Sequence, residues 1–285
     1  MKFQFLGTAA GEQFPALWCQ CDVCEKARRL GGRNIRTNSH AFLAPDALID
    51  FPPEAFAQIR RFNVPIFDVE HLFITHSHED HFCPFLLAWR WMKEGQELPP
   101  PPGAWGPRFS TLRTLHIYGN AAVHKQLKAM VGDGRRHAIS SHLVEPFADF
   151  DAGDMRVTPL LANHSDRDGA PPLNYIIRCG GKTLLYALDT GWFLDETLAA
   201  IRKDRYDLVV LEGTFALGVD MEQHSNFAKV EKAYALFRKE GLLKDGAAFC
   251  VSHTGPHFGP VHDEIAPIMA AKGITIAYDG MEVDV

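Results

Sequence analysis

One stretch limits what this chain can fold into more than any other: Thr75-His76-Ser77-His78-Glu79-Asp80-His81. It follows an apolar run, Leu72-Phe73-Ile74, that reads as the end of a strand. It precedes Pro84-Phe85-Leu86-Leu87-Ala88-Trp89, which reads as the start of a helix. Side chains two apart on an extended backbone point the same way. His76, His78 and Asp80 therefore project together from the strand end, and His81 comes round as the chain turns into the helix. Imidazole and carboxylate at such a junction suit zinc, manganese or iron. One ion does not use all four groups.

At 285 residues, 46% hydrophobic and 22% charged, the chain can bury a large core in one large or two modest domains. Its formal net charge of −6 leaves no basic surplus to release counterions from a phosphate backbone, which argues against a nucleic-acid partner. A local positive site, such as a pair of metal ions, still attracts a small anion. No apolar run approaches a membrane span, and the apolar stretch after Met1 is too short for a signal peptide. A cytoplasmic location is expected, with no membrane partner and with a homodimer allowed. Six cysteines in that setting point to metal or burial and not to disulfides.

Taken in order, residues 2–6 alternate as a strand before Gly7. Residues 8–38 show little periodicity, hold Cys19, Cys21 and Cys24, and carry four arginines. They read as a basic arm too poor in apolar residues to order itself. Residues 39–50 read as two short strands around Pro45-Asp46, and residues 53–62 and 85–92 as helices, with Trp89 and Trp91 packing at core and rim. Residues 95–111 contain four successive prolines, which favour polyproline II and cannot join a sheet. They read as a stiff connection or a lid.

Further strands are expected at 115–119, 155–161, 173–179, 182–188, 208–211, 247–252 and 274–278. Helices are expected at 121–131, 195–203, 226–240 and 264–271. Strands with helices between them fit two sheets covered by helices. His40, His71, His116, His124, His137 and His142 read as structural.

Four strand ends carry metal-capable groups: the opening stretch, then His164, Asp189 and His253. Ends of neighbouring strands lie close in space, so one cluster at a sheet edge is expected. No Gly-x-Ser-x-Gly elbow and no P-loop is present. The set resembles the metallo-β-lactamase-fold hydrolases, whose metal signature is complete in residues 75–81, over the whole chain. The resemblance implies a single α+β domain over residues 1–285, an αββα four-layer sandwich. It also implies one metal on His76, His78 and His164, a second on Asp80, His81 and His253, and Asp189 bridging both. Paired ions activate water at neutral pH and clamp an ester or phosphate oxygen.

Cys19-x-Cys21-x-x-Cys24 is the second strong signal. Three thiolates so close suit a soft metal and would pin the 8–38 arm, given a fourth ligand from among His257, His224 and His262. Cys83, Cys179 and Cys250 sit singly in apolar contexts and read as core.

Residues 5–11 and 18–24, with the ending Tyr278-Asp279-Gly280-Met281-Glu282-Val283, look like two branches of the superfamily. One is the cyclic-phosphate phosphodiesterase of the carbon–phosphorus lyase pathway. The other is pyrroloquinoline quinone biosynthesis protein B, which degrades the His-x-His-x-Asp-His signature. Its completeness here favours the phosphodiesterase branch. That resemblance implies a structural zinc on Cys19, Cys21, Cys24 and His257. It makes Asp80 and His224 catalytic, with His224 touching the substrate phosphate and protonating the leaving alkoxide.

The expected enzyme is a dinuclear hydrolase, using zinc or manganese with iron also suited, acting on a small anionic phosphodiester, linear or cyclic. The 95–114 insertion is either a stiff surface connection or its lid. Carboxylic ester or lactone hydrolysis, or metal-dependent oxidation as in the quinone branch, are the alternatives.

Overall fold

In the computed structural model, which describes residues 1–91 and 112–285, short apolar strands build two sheets. The first half supplies β1 (Lys2–Gly7), β2 (His40–Leu43), β3 (Ala47–Ile49), β4 (His71–Phe73), β5 (Leu115–Gly119) and β6 (Ile139–Leu143). The second supplies β7 (Phe150–Ala152), β8 (Met155–Leu161), β9 (Leu173–Cys179), β10 (Lys182–Ala187), β11 (Tyr206–Glu212), β12 (Leu243–Ser252), β13 (Thr275–Ile276) and β14 (Glu282–Asp284). The helices are α1 (Asp22–Leu30), α2 (Ala55–Arg61), α3 (Ala121–Val131), α4 (Asp195–Ile201), α5 (Phe227–Lys239) and α6 (His262–Ala270).

One sheet runs β14-β1-β2-β3-β4-β5-β6 and the other β13-β12-β11-β10-β9-β8-β7. Along β10, Leu184 and Tyr186 face the other sheet, while Leu185 and Ala187 face outward onto helices. β11 repeats the pattern with Leu208 and Val210 inside and Val209 and Leu211 outside. Strands buried on both faces read as continuous apolar runs. Outside the second sheet lie α4, α5 and α6, through Ile201, Phe237 and Met269 among others. Outside the first lie α2 and α3, through Ala55, Val123 and Leu127. The layers are therefore helix, sheet, sheet, helix, the αββα sandwich expected from the sequence.

Strand direction positions the site. β10, β11 and β12 are mutually parallel, and β8 reaches the same sense through antiparallel β9. β3 and β4 are parallel in the other sheet. The C-terminal ends of β4, β8, β10, β11 and β12 thus meet at one rim, with His76, His164, Asp189, Glu212 and His253 at the strand end or within three residues beyond it. This is the same logic that places ligand sites at the carboxyl ends of parallel strands in open sheets.

Several expectations are corrected. The 8–38 arm is not coreless: it contains α1, and Ala9, Phe14 and Ala27 pack with Val261 in a small core of their own. Arg36, read as part of a solvated basic loop, is buried. Residues 84–90 form a 3-10 helix and not an α-helix, and Trp89 is exposed. Of the single cysteines, Cys250 is buried but Cys83 and Cys179 are only half-buried. β6, β7 and β14 were not legible as strands, because they are short edge segments with polar or charged residues. The 95–114 stretch, read as a stiff connection or a lid, lies outside the described residues, apart from its last three. Among the described residues no helix is long and apolar enough to cross a membrane.

Candidate metal centre

The rim gathers His76, His78, Asp80, His81, His164, Asp189 and His253, all seven residues that the sequence singled out as ligands. His76 Nε2 lies 3.0 Å from His78 Nδ1, and His164 Nε2 lies 3.4 Å from the same atom. His81 Nε2 lies 3.1 Å from His253 Nε2, and Asp80 Oδ2 is 3.5 and 3.6 Å from those two nitrogens. Asp189 Oδ2 is 2.7 Å from His81 Nε2 and 3.0 Å from His253 Nε2. Asp189 also groups with His76 on one side and with His164 and His224 on the other.

The donor set fits metal. Donor atoms around one tetrahedral ion at a bond length of ~2.1 Å sit about 3.4 Å apart, close to the separations here. Asp189 Oδ2 is buried without a hydrogen bond although two imidazole nitrogens stand beside it. Nitrogen and oxygen lone pairs converge there, which a cation between them satisfies. Burial works against a charged His81, yet Asp189, Asp80 and Asp50 raise its pKa far above the ordinary value. Three carboxylates around one ring call for positive charge at that point. Burial holds His76 and His164 below the ordinary histidine pKa, in the neutral form that a ligand needs.

The far nitrogens are held by protein. His81 Nδ1 is 2.8 Å from Asp50 Oδ2, His253 Nδ1 is 2.9 Å from Thr214 Oγ1, and His76 Nδ1 is 3.1 Å from Thr75 Oγ1. Such contacts fix the ring and aim Nε2 into the cluster, where it would bind a metal. Asp50 also accepts from the N–H and hydroxyl of Thr75. Asp166 accepts from the N–H and hydroxyl of Ser77 and from Asn120. Asp50, Asp189 and His253 all have positive φ, of 64°, 43° and 52°. For residues other than glycine this backbone costs about 1–3 kcal/mol and persists where surroundings impose it, often at functional sites.

His224 stands beside the cluster, its ring 4.8 Å from that of His164. Its Nδ1 is 3.0 Å from Glu212 Oε1. Burial lowers the pKa of this ring, but the Glu212 and Asp189 carboxylates raise it above its ordinary value overall. Glu212 is fully buried at the end of β11 and accepts the N–H groups of Thr190 and Thr214. Sequence reading missed Asp50 and Glu212, although both stand at the ends of apolar strands, the signal that selected the other ligands.

At the second cluster, Cys19, Cys21, Cys24 and His257 bring their ligand atoms within 4.8 Å of one another. The structure thus brings His257, and neither His224 nor His262, to the thiols. His262 Nδ1 faces Arg36 instead. A backbone N–H from Cys24 favours the Cys21 thiolate, lowering its pKa to about 7. Burial pushes the Cys24 thiol up to about 12, so this thiol needs a metal to deprotonate it.

A four-layer sandwich with a two-part histidine and aspartate centre at its rim defines a metal-dependent hydrolase of the metallo-β-lactamase fold. The beta-lactamase superfamily domain matches residues 45–243, and the chain belongs to that superfamily. It is 28% identical over 183 residues to a UPF0173 metal-dependent hydrolase of Alkaliphilus metalliredigens (strain QYMF), which covers 61% of this chain and 68% of the other. Its fold is similar to that of Zn(2+)-bound PqqB from Methylobacterium extorquens, with a TM-score of 0.71 and 17% identity over all of both chains. It is also similar to a diphosphatase from the PhnP family, with a TM-score of 0.69 and 18% identity over 99% of this chain and 97% of the other. Human tRNase Z, short form, shares the fold at a TM-score of 0.66 and 17% identity, over 100% of this chain and 99% of the other. Both branches that the sequence resembles are among these structures.

Proposed function

We propose that this hydrolase cleaves small phosphodiesters, with His224 as proton donor to the leaving oxygen. The observation that carries the reading is the Glu212–His224 pair set against a complete ligand cluster. Two divalent ions, one on His76, His78 and His164 and the other on Asp80, His81 and His253 with Asp189 shared, would polarise phosphoryl oxygens and activate water. Zinc or manganese suits these donors, as does iron.

The protein's own groups do the rest. His81 and His253 are almost wholly buried, whereas the Asp80 and His224 side chains keep 20% and 24% exposure. A substrate therefore approaches over Asp80 and His224. Glu212 holds Nδ1 of His224 and so leaves Nε2 free to carry the proton to a departing alkoxide. Asp80 is kept ionised by His81 and His253 against the effect of burial, and so directs the substrate's anionic group toward the cations and away from itself. The Cys-x-Cys-x-x-Cys arm and the diphosphatase of similar fold support phosphorus over carbon as the centre attacked. A structural zinc on Cys19, Cys21, Cys24 and His257 completes the proposal.

The test is a substrate panel on protein loaded with zinc or manganese: bis(p-nitrophenyl) phosphate, a ribose cyclic phosphate, a dinucleoside diphosphate, p-nitrophenyl butyrate and a lactone. Turnover of a phosphodiester or diphosphate supports the reading. Turnover of the carboxylic esters alone overturns it.

A further inference from the structure

The arm that carries the three cysteines packs against one half of the metal centre and not the other. Thr254 follows His253 directly, and the arm holds it from three sides. The Thr254 N–H donates to Thr8 O at 3.2 Å, and the Ala10 N–H donates to Thr254 O at 3.3 Å. The buried Arg36 guanidinium donates to Thr254 Oγ1. Gly11 lies against Asp80, so closely that a Cβ there would stand 3.3 Å from Oδ2. The next residue, Glu12, reaches His257 Nε2 at 3.0 Å, and His257 Nδ1 faces Cys19 Sγ at 3.9 Å. His257 is also only four residues beyond His253. Two short paths therefore join the thiol cluster to Asp80 and His253. The loop bearing His76 and His78 is fixed instead by Asp166 and Gln126, outside the arm.

Of the three thiols Cys21 is the one open to attack, Cys19 being half-buried and Cys24 buried behind it. Cys21 stands at the N-terminus of α1 and is exposed, and Cys24 is one turn further on. Leu17 and Trp18 beside them are 74% and 92% exposed, so no described residue covers this tip. A Cys-x-x-Cys pair at a helix start is an arrangement that favours thiolate and disulfide chemistry.

We propose that the cysteine arm is a thiol-redox control site for the metal centre. Peroxide oxidation of Cys21 and Cys24 expels the arm's metal and loosens the Asp80/His81/His253 half, leaving the His76/His78/His164 half intact. In the first step the Cys21 thiolate attacks the peroxide, the O–O bond breaks, and a sulfenic acid and hydroxide form. In the second the Cys24 thiolate displaces hydroxide from that sulfur, and the S–S bond forms. Two electrons pass from the two sulfurs to the peroxide, and zinc leaves as Zn2+ without changing oxidation state. With Cys21 and Cys24 lost as ligands, His257 is released, and Glu12 and the loop back to His253 lose their anchor. The inference rests on the centre holding metal in two halves, as read above.

The experiment loads the arm with zinc and the centre with manganese, and counts manganese by the spin-resonance signal of the free ion, before and after hydrogen peroxide. Zinc release and a two-dalton loss of mass report the disulfide. Untreated protein is expected to bind two manganese ions. Oxidised protein is expected to keep one and to bind the second at least tenfold more weakly, with recovery on adding dithiothreitol and zinc. The His257→Gln variant should show the same selective weakening without peroxide. Two tightly held manganese ions after proven disulfide formation overturn the inference, as does peroxide that yields neither disulfide nor zinc release. Fewer than two manganese ions in untreated protein overturns instead the two-metal reading, which keeps the two failures distinct.

Discussion

Glu212 Oε1 lies 3.0 Å from Nδ1 of His224, a buried carboxylate holding a ring at the mouth of the metal cluster. If His224 donates the proton to the leaving group, Glu212→Gln should lower kcat by roughly 10- to 100-fold. Metal content should not change. His224→Ala should cost more with an alkoxide leaving group than with p-nitrophenolate, which departs without a proton. Equal losses on both substrates count against the donor role.

Asp50 binds His81 Nδ1 at 2.8 Å and the Thr75 N–H at 2.9 Å. Asp50→Asn keeps the shape and the tolerance for positive φ but removes the charge. Affinity for the ion in the Asp80 half should fall roughly 10- to 100-fold, as read by metal titration. The His76 half should bind as before.

Asp189 stands between both halves, its Oδ2 within 3.0 Å of His253 Nε2. Asp189→Asn removes the one carboxylate that groups with candidate ligands of both halves. Elemental analysis should then find at least one ion missing from the centre, and phosphodiester turnover should fall below detection. Chelation of wild-type protein should do the same, with recovery on adding zinc or manganese.

His262 gives a pH-dependent stability. Burial, and then repulsion from Arg36, lowers its pKa from 6.5 to about 4. The folded chain therefore keeps it neutral where the unfolded chain already binds a proton. The unfolded state takes up more protons between pH 6.5 and about 4, so stability present above that window is lost as pH falls through it. The loss should reach a few kcal/mol. In urea titrations, His262→Gln should flatten this part of the profile relative to wild type. An unchanged pH dependence counts against a buried neutral His262.

Much of the fold was legible because strands buried on both faces write themselves as apolar runs. The hairpin at Gly180-Gly181 and the strands around Leu208 and Phe249 were read that way, and α3 at its full extent. The arm was misread because its order comes from elsewhere. Ala9, Phe14 and Ala27 form a core only with Val261, and Arg36 is buried only because Thr254 and His262 come to meet it. Local periodicity carries no trace of such distant partners.

The candidate site divides the same way. Residues 75–81 alone pointed to a metal site here, because three imidazoles and a carboxylate in that spacing converge at a strand end. His164, Asp189 and His253 were legible as strand-end groups, but only the tertiary structure brought them against residues 75–81 and added Asp50 and Glu212 behind them. Parallel strand ends bring Asp189, Glu212 and His253 within a few ångströms of one another across gaps of many residues. It also chose His257 over His224 and His262 for the thiols. Sequence fixes donor chemistry, but donor geometry depends on strand direction and sheet packing, which arise from contacts far apart in the chain.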